Sequence, residues 1–494
     1  MTKASNDKDQ MDFSNLAKFK NIGLMYHNER GGYYTKLANE LKKINGANIH
    51  FFCTDSFTQK KLTEEGFESV TLVPFLYSNL ELEEKEIPSL IEKTKALEER
   101  FGFPFNYFFM VDRHLGRGYS LGGFRHPRSS YSESTSYFQG LKAFIREIDF
   151  WDKNVKSLSL DFFIGGSKLI TNMMRTNNVV HRGISESRYK NFRYWSFNEF
   201  FESPKFEEAF NKVSKDSDLK LEDAYHLHNI NRDIILKRIR LHNTIKDSVI
   251  TILKRINAHL KGYQKAKGYY LFDTIKFFWK QRQDYLWLKK RSVSDLERFK
   301  GKKLVFFGLH IEPEATLQQM SPLDFSQLST IASVSRDLPP DCIFLIKENF
   351  IGMGRRPKDF YKQILSFKNV VMLDPSMKGV QIVQKSDLVV TMTGTIGFEG
   401  AVFGKPVLSI GKHNFYNFID HVFCVERAED QGRLIREALS SKFDSAKAEK
   451  DGKKFLQAVI DISYDLENES VYDQHGFSDK ALMKSLIKLE ESFS

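Results

Sequence analysis

The run Leu388-Val389-Val390-Thr391-Met392, followed directly by Thr393-Gly394-Thr395-Ile396-Gly397-Phe398-Glu399-Gly400, decides the fold. Five apolar or β-branched residues in a row read as a strand buried on both faces. The glycine- and threonine-rich turn opens a helix that ends at Gly404-Lys405-Pro406, and Val407 to Ile410 reads as the next strand. Strand, turn, helix and strand in this order make one unit of a parallel sheet. The turn favours an anion. Small residues let the backbone approach a ligand, helix amides and the helix dipole attract phosphate, and two threonine hydroxyls add donors. Glu399 follows Thr395 by four residues, which misses the capping-box spacing of three. The vicinal diol of a ribose is one explanation for it. The alternative is that Thr395 caps the helix, Glu399 answers the dipole and the glycines pack helix on sheet.

The same rhythm extends in both directions. Strands are expected at Lys303 to Phe307, Cys342 to Lys347 and Val370 to Leu373, with helices starting near Pro322, Pro357 and Ser376. In the first half, strands are expected at Asn21 to Tyr26, Asn48 to Cys53, Ser69 to Val73, Leu160 to Ile164 and Asn178 to His181, with helices between them. The fold class is therefore α/β, with two doubly wound, Rossmann-like domains. We expect a first domain over 15–200, a basic helical insertion over 201–300, a second domain over 301–440 and a helical tail over 441–494. A ligand site is expected between the domains, at the open ends of the strands.

The 494 residues are 41% hydrophobic and 28% charged, the composition of an ordinary folded protein. Three cysteines far apart exclude a disulfide framework or a cysteine-rich zinc module. No run approaches the roughly 18 apolar residues of a spanning helix, and Met1 to Gln10 lacks signal-peptide order, so a cytoplasmic protein is expected. The net charge of +11 is local: residues 232–300 hold 18 Lys+Arg against 6 Asp+Glu, and the rest of the chain sums to −1. That segment shows helical apolar spacing at Ile235, Ile239, Ile245, Val249, Ile252 and Ile256, a basic polar face, and the aromatics Phe277, Phe278, Trp279, Tyr285 and Trp287. Such a segment suits either an anionic membrane surface or a solvated helical face.

For a general base the first half offers His27 and Glu29, on the turn Tyr26-His27-Asn28-Glu29-Arg30-Gly31-Gly32 that leaves the first strand, and then Asp112, His114 and His126. His27 and Glu29 are preferred because the glycine pair admits close approach of a substrate. Asp216-Ser217-Asp218 lies in a polar linker and not after a strand, and His226 with His228 has no third ligand nearby, so no metal is assigned.

Several elements in order resemble the capsular and surface-polysaccharide glycosyltransferases of the GT-B fold. They are Leu309-His310 with Pro313-Glu314-Ala315, Ile346-Lys347-Glu348, Arg356 with Tyr361, Thr393 to Glu399, Gly404-Lys405-Pro406-Val407 and Ile410-Gly411. In the first half, Ser187-Arg188 with Asn191, Arg193, Tyr194 and Trp195 resembles an element of the same family. Asn349-Phe350 stands where the family often reads His-Pro, so a His-Pro contact to donor phosphate is not carried over. The resemblance implies transfer of a sugar from a nucleotide-activated donor to a polysaccharide or lipid-linked acceptor. The nucleotide sugar is then the donor substrate, and no cofactor is implied. Thr393, Gly394, Thr395 and Gly397 would hold donor phosphate, Glu399 the ribose, Lys347 and Arg356 the charge on the leaving phosphate, and His310 and Glu314 would complete the pocket. Arg188 and Arg193 are further candidates facing the interdomain region. A nonhydrolysing nucleotide-sugar epimerase is the alternative, told apart by products formed from donor alone. A nucleic-acid-binding protein would use the basic segment, but recognisable modules are absent, so nucleic acid is not expected as a partner. The enzyme is expected in the cytoplasm, peripheral on the inner face of the membrane.

Overall fold

The computed structural model describes residues 12–26, 31–74, 81–111, 136–213, 236–260, 271–311, 315–324, 326–466 and 478–494. His27, Glu29, Asp112, His114, His126 and Glu314 lie outside them, as do Asp216, Asp218, His226 and His228. Two units form. One takes residues up to Gly102, Leu141–Ala209 and Val459–Ser494, and the other takes Phe103–Gly140 and Phe210–Ala458.

The strands of the first unit are β1 (Asn21–Met25), β2 (Asn48–Cys53), β3 (Ser69–Leu72), β4 (Phe162–Ile164), β5 (Val180–Glu186) and β6 (Phe192–Ser196). The second unit holds β7 (Lys303–Gly308), β8 (Cys342–Lys347), β9 (Val370–Leu373), β10 (Leu388–Thr391), β11 (Val407–Ser409) and β12 (Val422–Cys424). A two-residue strand, β13 (Tyr464–Asp465), belongs to the first unit's sheet.

The second sheet runs β12-β11-β10-β7-β8-β9 and is parallel throughout. Numbered from β7, that is the order 3-2-1-4-5-6 of doubly wound nucleotide-binding folds, with the order reversing between β7 and β10. Its strands are apolar runs because helices cover both faces: Val305, Phe307, Phe344, Ile346, Val389 and Val390 are all fully buried. The first sheet runs β13-β6-β5-β4-β1-β2-β3, parallel from β3 to β5 and antiparallel at β6 and β13.

From Phe210 on, the segment expected as a separate insertion is built into the second unit, while its first residues, up to Ala209, belong to the first. Ile239 and Leu288 are buried in that unit's core, and Val293 bridges to Leu373. The aromatics of the helix Leu271–Arg291 serve the same wall: Trp287 stacks on Tyr361 at 5.9 Å and Tyr285 lies 6.4 Å from Phe350. The tail also divides. The helix Ser445–Ile462 stops short of Tyr464, which is fully buried and pairs with Arg193 of β6. The last helix, Asp479–Glu491, is tied to the first unit by Trp195 Nε1 donating to the Ser485 carbonyl at 2.9 Å and Tyr33 donating to Ser485 Oγ at 3.0 Å.

Candidate functional site

The strands β8, β7 and β10 are parallel neighbours, so residues that follow their C-terminal ends share one edge of the second sheet, where its order reverses. His310 follows β7, Lys347 and Glu348 close β8, and Thr393 to Glu399 leave β10. The turn after β10 is shaped by contacts that require glycine. The Gly394 amide donates to Thr391 Oγ1 at 3.0 Å, and a Cβ on Gly394 would stand 2.9 Å from Cε1 of the His310 ring. A Cβ on Gly397 would stand 2.3 Å from the Tyr416 hydroxyl. From the next loop, Asn414 Nδ2 donates to the Met392 carbonyl at 2.7 Å and to Ser409 Oγ at 2.9 Å, tying the ends of β10 and β11 together.

The helix after this turn is Thr395–Val402, and its N-cap is Gly394, not Thr395. A glycine N-cap has no side chain, and no side-chain hydrogen bond caps the first turn. Backbone amides and the positive dipole end are thus left for an anion. Thr393, 2% exposed, has a buried hydroxyl with no hydrogen-bond partner among the described residues. Buried hydroxyls are rarely left so. Glu399 lies on the same face of the helix as Thr395 and is buried, while Phe398 turns into the core against Phe415 at 6.0 Å and Phe455 at 5.7 Å.

A buried ionic clamp fixes the other wall. Arg356 donates from Nε to Glu348 Oε2 and from Nη2 to Glu348 Oε1, each at 2.7 Å, and both side chains are almost fully buried. Glu348 also accepts from the Tyr361 hydroxyl at 2.8 Å and the Asn349 amide at 2.7 Å. Burial, reinforced by the Glu348 and Asp284 carboxylates, holds the Tyr361 phenol well above its ordinary pKa, so it stays a donor. Arg356 Nη2 reaches the His310 carbonyl at 2.6 Å, and Gln327 grips the same residue: its Oε1 accepts from the His310 amide at 2.6 Å, and its Nε2 donates to the carbonyl at 3.2 Å. Arg356 therefore lies inside the wall, with two nitrogens spent on holding Glu348 and the His310 backbone. Lys347 is half-buried, with Nζ 3.4 Å from the Glu348 carbonyl.

In the first unit the order reverses between β1 and β4. There Ile164-Gly165-Gly166-Ser167-Lys168, a further candidate turn, carries the signal of small residues between a strand and a helix. Gly165 and Gly166 have φ of +83° and +109°, and Ser167 Oγ caps the helix Lys168–Thr176 by accepting from the Ile170 amide. Lys168 is buried, its ammonium 5.1 Å from the centre of the Phe200 ring. Burial pulls its pKa down to about 8, against the opposing pull of Glu199. Arg188 has φ +66° in the turn between β5 and β6, and the buried Arg193 pairs with Glu186 at 3.3 Å. Among the described residues, no group of three or more His, Cys, Asp or Glu is arranged to hold a metal ion, and no helix is long and apolar enough to cross a membrane.

Residues 215–419 match the model of the family described as Capsule polysaccharide biosynthesis protein. No curated protein matches the chain at a significant level. Among solved structures, the chain is similar to the beta Kdo 2,7 transferase of KpsC from Thermosulfurimonas dismutans, at 11% identity over 71% of this chain and 90% of that one, TM-score 0.32. The N-terminal domain of trehalose-6-phosphate phosphatase from Candida albicans aligns at 10% identity over 95% and 96%, TM-score 0.32. Anabaena Alr3699/HepE in complex with UDP-glucose aligns at 10% identity over 94% and 99%, TM-score 0.31. Likenesses this loose say nothing of chemistry. Over residues 215–419, which hold all of the elements from Leu309-His310 to Ile410-Gly411, the chain is similar to the capsule polysaccharide biosynthesis family.

Proposed function

We propose that the chain is a glycosyltransferase that moves a sugar from a nucleotide-activated donor to a surface polysaccharide or its lipid-linked precursor. The observation that carries this reading is the reversal point of the 3-2-1-4-5-6 sheet, where the His310 ring meets a helix start without a side-chain cap and Thr393 keeps a buried hydroxyl without a partner among the described residues. Anion-binding amides at the reversal point of a doubly wound sheet suit a nucleoside diphosphate. In this scheme the Thr395 and Ile396 amides at the helix start, with the Thr393 and Thr395 hydroxyls, hold the diphosphate, the glycines at 394 and 397 let it approach, and Glu399 takes the ribose hydroxyls. Lys347 offsets charge on the leaving phosphate, so the scheme uses no metal ion. Arg356 is a positioning residue that keeps His310 in place, and Glu314 completes the pocket. In an inverting transfer the acceptor hydroxyl attacks the anomeric carbon, His27 or Glu29 takes its proton, and the nucleoside diphosphate leaves with the electron pair of the broken bond. Arg188 and Arg193 are assigned to the acceptor side, and the reaction to the cytoplasmic face of the membrane.

The test is a thermal-stabilisation screen with UDP, GDP, CMP and CDP sugars, since a ligand that binds the native state raises its melting temperature. One class should stabilise, and Glu399→Ala should weaken that ligand by about 1.5–3 kcal/mol, the value of a charge-assisted hydrogen bond. Unchanged affinity in calorimetry removes Glu399 from the ribose. Stabilisation by none of the four, or an epimerised sugar formed from donor alone, overturns the transfer reading.

A further inference from the structure

The helix Leu241–Leu260 wears its apolar stripe on the outside. Ile245, Val249, Ile252, Leu253, Ile256 and Leu260 range from 36% exposed at Ile252 to 79% at Leu260. At 100° per residue these six cover an arc of about 100°, the width of a core-facing stripe. The side that is seated is the hydroxyl-bearing one: Thr244 and Ser248 are buried, and Thr244 Oγ1 donates to the Arg238 carbonyl at 2.9 Å. A solvated helix in a folded protein has the reverse arrangement, and an exposed aliphatic row of this length marks a contact surface.

Charge selects the occupant. Asp247 is the sole acid between Leu241 and Leu260, and it is paired with Arg238 at 3.3 Å. His242, Lys246 and Lys254 are exposed on the same helix, within the segment of 18 basic against 6 acidic residues. A second copy of the chain would bring two such segments together, and like charges repel. A nucleic acid would meet the lysines and leave the aliphatic row in water. An anionic bilayer satisfies both, taking aliphatic side chains below the headgroups and basic ones among them.

We propose that the helix Leu241–Leu260 lies in the plane of an anionic membrane surface, with its Ile245 to Leu260 stripe below the headgroups and Lys246, which flanks the stripe, at their level. The neighbouring helix contributes less than its composition suggests. Lys280 pairs with Asp284 at 3.1 Å, and Arg282 donates to the Ile239 carbonyl at 3.1 Å, so both are engaged within the protein. The inference rests on the proposed transfer for its purpose, the bringing of a lipid-linked acceptor to the enzyme, and on this helix alone for its physics.

The full chain is sedimented with vesicles of phosphatidylcholine and with vesicles that also contain phosphatidylserine. Binding should appear on the anionic vesicles and weaken as salt is added. Val249→Glu with Ile256→Glu, both at exposed positions, should leave the thermal melt unchanged and lower the partition at least about tenfold. Lys246→Glu should lower it several-fold. Equal sedimentation of wild type and Val249→Glu/Ile256→Glu overturns the proposal, and so does a wild type that binds neither vesicle. A concentration-dependent dimer that the double variant makes monomeric, with no vesicle binding, would give the stripe to a second copy instead. None of these readouts needs turnover, so failure of the transfer reading in the nucleotide-sugar screen leaves them separate.

Discussion

Both sheets place a glycine-bearing turn beside the point where their strand order reverses, after β4 in the first unit and after β10 in the second, and the two turns are held in opposite ways. After β4, Ser167 caps its own helix, and Lys168 is folded in over Phe200 with Glu199 nearby. After β10, the N-cap is a glycine and no side chain caps the helix; Thr391 Oγ1, at the end of β10, accepts from the Gly394 amide, and Asn414 from the next loop donates to the Met392 carbonyl. A turn that satisfies its own amides has little left for an anion. The turn after β10 spends the Gly394 amide on Thr391 and the Gly397 amide on the Gly394 carbonyl, and leaves the first helical amides, those of Thr395 and Ile396, without a side-chain cap. The contrast explains why the donor reading rests on the second unit.

The largest expected effect tests that division of labour. If the first unit supplies the base, His27→Ala or Glu29→Gln at the correct residue should lower kcat by about 10²–10⁴, while stabilisation by the nucleotide sugar stays unchanged. Full activity in the double variant would move the base to Asp112 or His114, and loss of donor binding would break the division itself. Next, Glu348→Ala strands the buried Arg356 guanidinium. A broken buried pair of this kind costs about 3–5 kcal/mol, read as a lower denaturant midpoint, and donor binding should fall with it because Arg356 also holds His310. A loss below about 1 kcal/mol would mean that the clamp is dispensable.

The third effect belongs to the first unit. His181 is buried behind the β4 turn, its Nε2 2.9 Å from the Gly165 carbonyl; burial lowers its pKa to about 4, against the opposing effect of that hydrogen bond. Since its folded value lies below its unfolded one of about 6.5, the unfolded state binds more protons between these pH values. Stability is then present above pH 6.5 and lost as pH falls toward 4, by on the order of 3 kcal/mol. Denaturation at stepped pH should show this slope, and His181→Gln should flatten it. An unchanged slope would assign the acid sensitivity to other groups.

Five strands of the second sheet were legible because each is a largely apolar run ended by a turn, a signal carried within a few residues; β12, only three residues long, was not. The Glu348, Arg356 and His310 clamp was not, since it joins three loops that share no period, and Arg356 in isolation reads equally well as a surface cation. The tail was misread at Tyr464 for a related reason: β13 is two residues long and exists through pairing with β6, more than 250 positions earlier. In the helix Leu241–Leu260 the period was plain, but a period fixes which residues share a face and not whether that face turns inward. The tie that reveals its direction, Thr244 to the Arg238 carbonyl, is a packing fact.

The tail has a consequence for how the molecule is made. The first unit's sheet keeps β6 as an open edge until β13 arrives, and Trp195 and Tyr33 wait for Ser485. Ribosomes add about 5–20 residues per second, so the roughly 250 residues of the second unit intervene for on the order of 10–50 s. During that interval the second unit, whose sheet runs from β7 to β12 without contribution from later strands, is complete before the first. The strand order thus puts completion of the second sheet ahead of the first, against the usual N-terminal-first order, and until β13 arrives β6 is an open edge of the kind prone to pair with other chains.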